Sequence, residues 1–273
     1  MMTNTDFPLK SLLESATIAA TKAGAKIMEI YQSGFEVIQK SDHSPLTEAD
    51  RAAHAIIFEE LSYHGIEMVS EEGDSISFKK RGKLEKVWMI DPLDGTKEFI
   101  NYNGEFTVNI ALIENGVPVL GVVYVPVKKW LYLGAKGFQS KKFELEKHQS
   151  PLWDTKGMSL PINSIENKLR VVASKSHLNG ETRNYISKLQ DSYGKLEFLS
   201  AGSSLKLCLV AEGEADLYPR LAPTMEWDTA AGDAVCRYAA CRVLNFETGK
   251  PLTYNKENLL NPWFKVVGHG RAF

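Results

Sequence analysis

Glu114-Asn115-Gly116 separates two apolar runs, Phe106 to Ile113 and Val117 to Val127. An Asn-Gly pair accepts the positive φ angles of a tight turn, so the chain is expected to fold back there as an antiparallel hairpin. Neighbouring runs can extend that sheet: Ile66 to Ser70 and Lys86 to Ile90 before the hairpin, Trp130 to Leu133 and Phe138 to Leu145 after it. The hairpin thus calls for a mainly antiparallel sheet in the first half of the chain.

A sheet needs a layer to cover it. Leu9, Leu12, Leu13, Ala16, Ala19, Ala20, Ala23, Ile27, Ile30 and Tyr31 recur at three-and-four spacing, which predicts a long amphipathic helix stopped near Gly34. A polar loop from Lys40 to Thr47 leads into a second helix, with Ala49, Ala53, Ile56, Ile57 and Leu61 on one face and a capping-box-like start at Thr47 and Asp50. From Glu146 to Asn167 the chain is polar, holds Pro151 and Pro161 and has no clean period, as a long loop or seam would.

Beyond that seam strand and helix alternate. Strands are expected at Leu169 to Ala173, Leu196 to Ser200 and Asp216 to Tyr218, and helices at Glu181 to Leu189, Ser203 to Ala211 and Thr229 to Arg242. The fold class expected is an α/β sandwich, antiparallel in its first half and alternating α/β in its second. Residues 1–150 form an N-terminal α+β half and 165–273 a C-terminal α/β half, tightly packed as one unit.

With 273 residues, 44% hydrophobic and 24% charged, the chain can bury a large core. Its 32 basic and 34 acidic residues leave a net charge of -2, which gives no reason to expect nucleic-acid binding. No stretch reaches the ~20 apolar residues that span a bilayer, and the N-terminus does not read as a signal peptide. Cys208, Cys236 and Cys241 form no Cys-x-x-Cys pair, so they read as buried free thiols rather than a zinc site. The expected location is a reducing cytoplasm, with loose association at the inner face of the membrane left open.

Carboxylates gather at the ends of the predicted elements: Glu71-Glu72, Asp91 with Asp94, and Asp228. The strand ending at Ile90 is apolar, so Asp91 stands at the sheet's edge beside the core, where a carboxylate must be hydrated, paired or bound to a cation. Pro92 and Gly95 are read as forcing a tight turn that brings Asp91 and Asp94 to one centre. An all-oxygen donor set favours a hard cation such as Mg²⁺. Taken singly these residues have plainer readings: Asp228 as a helix N-cap, Glu71-Glu72 as a solvated strand end, Asp50 as a cap.

Together they form a recognisable set. Asp91-Pro-Leu-Asp-Gly-Thr-Lys-Glu-Phe99, Trp227-Asp-Thr-Ala-Ala-Gly232 and the upstream Ser70-Glu71-Glu72 resemble the signature segments of the inositol monophosphatase superfamily. Within it the chain is most similar to the CysQ-type 3'(2'),5'-bisphosphate nucleotidases, through Lys40 to Asp50, Asn103 to Leu112, Gly202 to Gly213, Tyr218-Pro-Arg220 and Gly249 to Tyr254. The similarity covers nearly the whole chain and is weakest from about Gln139 to Asn167.

The resemblance implies a layered α-β-α-β-α sandwich and a lithium-sensitive, Mg²⁺-dependent phosphomonoesterase. It implies that Glu71, Asp91, the Leu93 carbonyl, Asp94 and Asp228 bind about two or three Mg²⁺ ions. Thr96 would orient the attacking water, with Asp50 as the carboxylate that receives a proton and Glu71 close to the nucleophile. Gly95 and Thr96 would offer backbone N–H groups to the phosphate. His177, Ser203, Lys206 and Arg220, together with Glu71, Leu93, Asp94 and Asp228, match substrate-contacting positions. The implied substrate is a small phosphorylated nucleotide, adenosine 3',5'-bisphosphate or its sulfated derivative.

Plainer readings stay open for some of these: Thr96 as a helix cap, Lys206 as a solvated helix charge, His177 as an incidental loop residue. Two rivals share the motifs, an inositol or sugar monophosphate phosphatase and a non-catalytic sensor of metal and phosphate.

Overall fold

The computed structural model describes residues 8–39, 45–148, 157–163, 168–173 and 179–272. Helix α1 (Leu9–Ser33) ends where Gly34 takes φ +88°, as the pattern predicts. The end of the expected polar loop is instead a short strand, β2 (Pro45–Thr47), paired antiparallel with β1 (Val37–Gln39) just before the loop; residues 40–44 lie outside the described residues. Helix α2 (Glu48–Ser62) starts on a complete capping box between Thr47 and Asp50.

A seven-stranded sheet follows, its strands adjacent in chain order. They are β3 (Met68–Ser70), β4 (Lys86–Asp94), β5 (Thr107–Glu114), β6 (Val117–Val125), β7 (Trp130–Ala135), β8 (Phe138–Glu144) and β9 (Met158–Ser159). Short helices α3 (Phe78–Arg81) and α4 (Thr96–Ile100) flank β4. The Asn115-Gly116 turn joins β5 to β6 with both residues at positive φ, 50° and 77°, which two-residue hairpins require. Both faces of β4 to β7 are buried. Trp88, Ile90, Val108, Ile110, Leu112, Leu120 and Val122 pack toward α1 and α2, while Val87, Met89, Ala111, Ile113 and Val123 pack toward the opposite layer. Period-two alternation therefore divides apolar side chains between two cores rather than between core and solvent.

The second sheet runs in the order β11-β10-β12-β14-β13. Its members, with their helices, are β10 (Arg170–Ala173), α5 (Gly180–Tyr193), β11 (Glu197–Ser200), α6 (Leu205–Glu212), β12 (Leu217–Arg220), α7 (Ala230–Arg237), β13 (Arg242–Asn245) and β14 (Phe264–Val267). Strands β10, β11 and β12 are parallel, and β13 and β14 complete the sheet antiparallel. Helices α6 and α7 lie between the two sheets, and α5 covers the outer face of the second. The layers are thus helix, sheet, helix, sheet, helix.

Three sequence expectations are corrected. Strand β4 continues through Pro92 to Asp94, with a bulge between Asp91 and Asp94 in place of a turn after Ile90. A bulge leaves backbone groups out of the ladder, so it tolerates a proline. The helix expected from Thr229 to Arg242 ends at Arg237, since Ala240 takes φ +58° and Arg242 begins β13. Within the expected seam, β9 pairs with β8; residues 149–156 and 164–167 lie outside the described residues.

Small residues set the distance between layers. A Cβ on Gly121 of β6 would stand 2.3 Å from the Ala231 carbonyl oxygen, so only glycine lets α7 lie this close to the first sheet. That approach carries the turn before α7, and Asp228 with it, toward the end of β4.

Candidate active site

Strands β3 and β4 are parallel, and their register sets Ser70 beside Ile90. The next residue of each chain segment is a carboxylate, Glu71 or Asp91, so both leave the sheet at the same end. The Glu71 N–H donates to the Ile90 carbonyl at 3.1 Å. Asp228 arrives from the other half, its Oδ2 accepting from the Met225 N–H at 2.8 Å. It closes this turn and does not cap α7, whose N-cap is Thr229. Ligating oxygens of Glu71, Asp91 and Asp228 lie within 4.8 Å of one another.

Such proximity is electrostatically unfavourable. Burial, then the charges of Glu71, Asp94 and Asp228, hold the Asp91 carboxyl well above the usual carboxylate range. Burial, then the Asp94 charge, does the same to Asp228. Among the described residues no cationic side chain pairs with Asp91, Asp94 or Asp228. Converging carboxylates with oxygen-only donors fit a hard divalent ion. Glu71, Asp91 and Asp228 would hold it, with Asp94 and the Leu93 carbonyl at the same cleft.

Thr96 is the first residue of α4, and the residue that caps this helix is Gly95, at φ +92°. The Thr96 hydroxyl is therefore not the cap; it reaches Asp50 Oδ1 at 3.3 Å and the Leu93 carbonyl at 3.5 Å. Asp50 is 2% exposed. Its other oxygen, Oδ2, accepts from the Thr47 N–H at 2.7 Å and the Thr47 hydroxyl at 2.6 Å. One carboxylate thus completes the cap of α2 and holds Thr96.

A cleft of about 250 Å³ runs from these carboxylates to Ser203, Lys206, Tyr218 and Arg220. Lys206 is 5% exposed, not a solvated helix charge. Its Nζ donates to the Ser203 carbonyl at 2.7 Å and lies 5.5 Å from the Tyr218 ring centroid. Burial pushes its ammonium down to about 8, against the opposing pull of Asp94 and with the help of Arg220. Arg220 ends β12 and donates to the Pro223 carbonyl at 3.1 Å. His177 lies outside the described residues. Lys97, Glu98 and Thr224 also line the cleft and were not singled out from sequence. Lys97 and Glu98 lie within the quoted motif, but only the direction of α4 shows that they face the cleft.

Residues 9–265 match the model of the inositol monophosphatase family. The chain belongs to this family. It is 44% identical to the 3'(2'),5'-bisphosphate nucleotidase CysQ of Shigella flexneri over 93% of this chain and 99% of that one. It is 45% identical to the CysQ of Salmonella typhimurium, over 94% and 99%. A crystal structure of CysQ from Bacteroides thetaiotaomicron, described as a bacterial member of the inositol monophosphatase family, superposes with TM-score 0.85 at 46% identity, covering 96% of this chain and 98% of that one. An inositol monophosphatase from Anabaena shares the fold at TM-score 0.71 and 24% identity. The layered α/β sandwich is thus the inositol monophosphatase fold. The family is metal-dependent, and the acidic cluster is compatible with that. No helix among the described residues is long and apolar enough to cross a membrane.

Proposed function

We propose that the protein is a 3'(2'),5'-bisphosphate nucleotidase that removes the 3'-phosphate of adenosine 3',5'-bisphosphate, giving AMP and phosphate. The observation that carries this reading is one cleft with a carboxylate cluster at one end and Lys206 with Arg220 at the other. It is supported by near full-length identity to the CysQ nucleotidases. A substrate with two phosphates needs cationic partners away from its reacting centre, and Arg can grip a phosphate through two donors at once.

The metal reading is about two or three Mg²⁺ ions held by Glu71, Asp91, the Leu93 carbonyl, Asp94 and Asp228. When bound, they supply positive charge that polarises the phosphoryl oxygens and acidifies water. The chain's own groups do the rest. Thr96 Oγ1 takes a proton from the attacking water as its own proton passes to Asp50 Oδ1, 3.3 Å away. Glu71 borders the path of the water. The water oxygen bonds to phosphorus, the bond to the 3'-oxygen breaks, and that oxygen leaves with a proton from solvent. The N–H groups of Gly95 and Thr96 receive the phosphoryl oxygens, while Ser203, Lys206 and Arg220 hold the distal phosphate; His177, outside the described residues, is a substrate contact on the strength of the resemblance alone.

Residues 1–150 and 165–273 are read as two halves of one unit, supported by a core cluster that draws on both. Three buried free thiols suit a reducing cytoplasm as the place of work.

A phosphate-release panel tests the reading: adenosine 3',5'-bisphosphate, its sulfated derivative, inositol 1-phosphate and fructose 1,6-bisphosphate, each with Mg²⁺ and with EDTA. The nucleotides should be the best substrates, and EDTA should abolish release. Inositol phosphate as the best substrate would overturn the substrate assignment, and no release from any of them the enzymatic one.

A further inference from the structure

Ser204 occupies the N-cap position of α6, yet its hydroxyl makes no bond to that helix. An N-cap serine ordinarily accepts from an N–H of its own first turn. Here both its backbone and its side chain serve the carboxylate cluster instead. The Ser204 N–H donates to Asp94 Oδ2 at 2.6 Å. Its Oγ lies 2.8 Å from the same Oδ2 and 2.5 Å from the Asp228 carbonyl oxygen, and it accepts from Asn109 Nδ2 at 3.0 Å. A hydroxyl has one proton, so it donates to one of these acceptors at a time. The N–H bond holds Asp94 in either case.

Asn109 Nδ2 also lies 3.3 Å from Asp94 Oδ2. Ser203, at φ +53°, directs its hydroxyl to the Asp94 carbonyl at 2.8 Å and meets the Thr107 hydroxyl at 2.8 Å. A left-handed serine and an uncapped helix start are both locally unfavourable. Both are tolerated where the chain reaches Asp94. The result is that Oδ2 is crowded with donors, while among the described residues no hydrogen bond reaches Oδ1. Ser204 also ties Asp94, from the first sheet, to the backbone of Asp228, from the second half.

We infer that Ser204 is a positioning residue for the metal site. It occupies one oxygen of Asp94, presents the other to the cation and fixes the spacing between Asp94 and Asp228. Partners of this kind orient metal ligands, and their loss typically weakens metal affinity or activity by about 10- to 100-fold. The inference rests on the metal-dependent phosphatase reading above.

The test is Mn²⁺ binding to the full chain, followed by EPR of the free ion, for wild type and Ser204→Ala. The alanine keeps the N–H bond and loses only the hydroxyl. Its Mn²⁺ affinity should fall by roughly 10-fold, beyond what any fall in melting temperature in EDTA from the lost hydroxyl accounts for. Its half-saturating Mg²⁺ in turnover should rise in parallel, while KM for the nucleotide at saturating Mg²⁺ stays put. A merely structural role would move the melting temperature and leave the affinity alone. Asn109→Ala, which removes the donor reaching both Asp94 and Ser204, should weaken Mn²⁺ binding in the same direction and decides the matter should Ser204→Ala fail to fold. Wild-type Mn²⁺ affinity in the folded variant overturns the positioning role and leaves the phosphatase reading standing. Absence of Mn²⁺ binding by wild type overturns both.

Discussion

Asp91→Asn is expected to abolish activity and yet stabilise the metal-free protein. Asp91 is 1% exposed, and its carboxylate shares a space with oxygens of Glu71 and Asp228 within 4.8 Å. Two unit charges at that distance repel by roughly 3 kcal/mol at an effective dielectric near 20. Proton uptake already relieves much of this, as the upward shift of Asp91 indicates. About 1–2 kcal/mol remains for the substitution to remove, which raises the melting temperature by roughly 2–8 °C in a domain of this size. The amide is nearly isosteric: its oxygen can still accept from the Leu93 N–H, now 3.1 Å from Asp91 Oδ1, and its N–H groups face carboxylates. Calorimetry in EDTA and in excess Mg²⁺ reads the outcome. Wild type should melt below the variant in EDTA and gain more from Mg²⁺, by about 2.7 kcal/mol at a hundredfold excess over Kd. A variant that melts below wild type in EDTA refutes the reasoning, because the carboxylate would then be a net stabiliser without its cation.

Arg220→Ala should lose roughly 1.5–3 kcal/mol of transition-state stabilisation, or about 10- to 150-fold in kcat/KM, on a bisphosphate, and little on a monophosphate. If Lys206 holds the distal phosphate as proposed, KM for the bisphosphate should climb as rising pH removes the proton that burial already loosens, and Lys206→Met should erase that limb. Lys142→Met strips the buried Glu212, 3.0 Å from Lys142 Nζ, of its cation and should cost roughly 3–5 kcal/mol by denaturant unfolding. Adding Glu212→Leu should restore most of that loss, because a buried pair replaced by apolar groups is often neutral.

Much of this architecture is legible in local pattern. Helix α1 and its stop at Gly34, and the β5–β6 hairpin at Asn115-Gly116, are written in period and turn chemistry. The misses lie where pairing is non-local. Strands β13 and β14 are four residues each; β14 gains its identity from β12, far off in sequence, and β13 from β14. Pro92 reads as a strand end until the bulge beside β5 is seen. At the site, the carboxylates are visible as residues, but their convergence depends on the parallel β3–β4 register, and β3 is only three residues long. Ser204 is hidden for a subtler reason: a serine at the start of a helix already has an ordinary local explanation. Only the direction of its hydroxyl shows that the ordinary explanation is wrong.

The two ends of the cleft are electrically linked through Asp94. Its negative charge opposes the burial that lowers the Lys206 ammonium to about 8, and Arg220 works against it. A cation bound at Asp94 would offset that support, so metal loading would loosen the proton on Lys206 further. An arriving phosphate reverses this by placing negative charge beside the ammonium. On the proposed reading, the cationic end of the cleft is most firmly charged when a phosphate lies between Lys206 and Arg220. A monophosphate that reaches only the carboxylate end leaves Lys206 and Arg220 desolvated with no anion between them. On the proposed reading, discrimination for a second phosphate would follow from burial of that lysine, not from its charge alone.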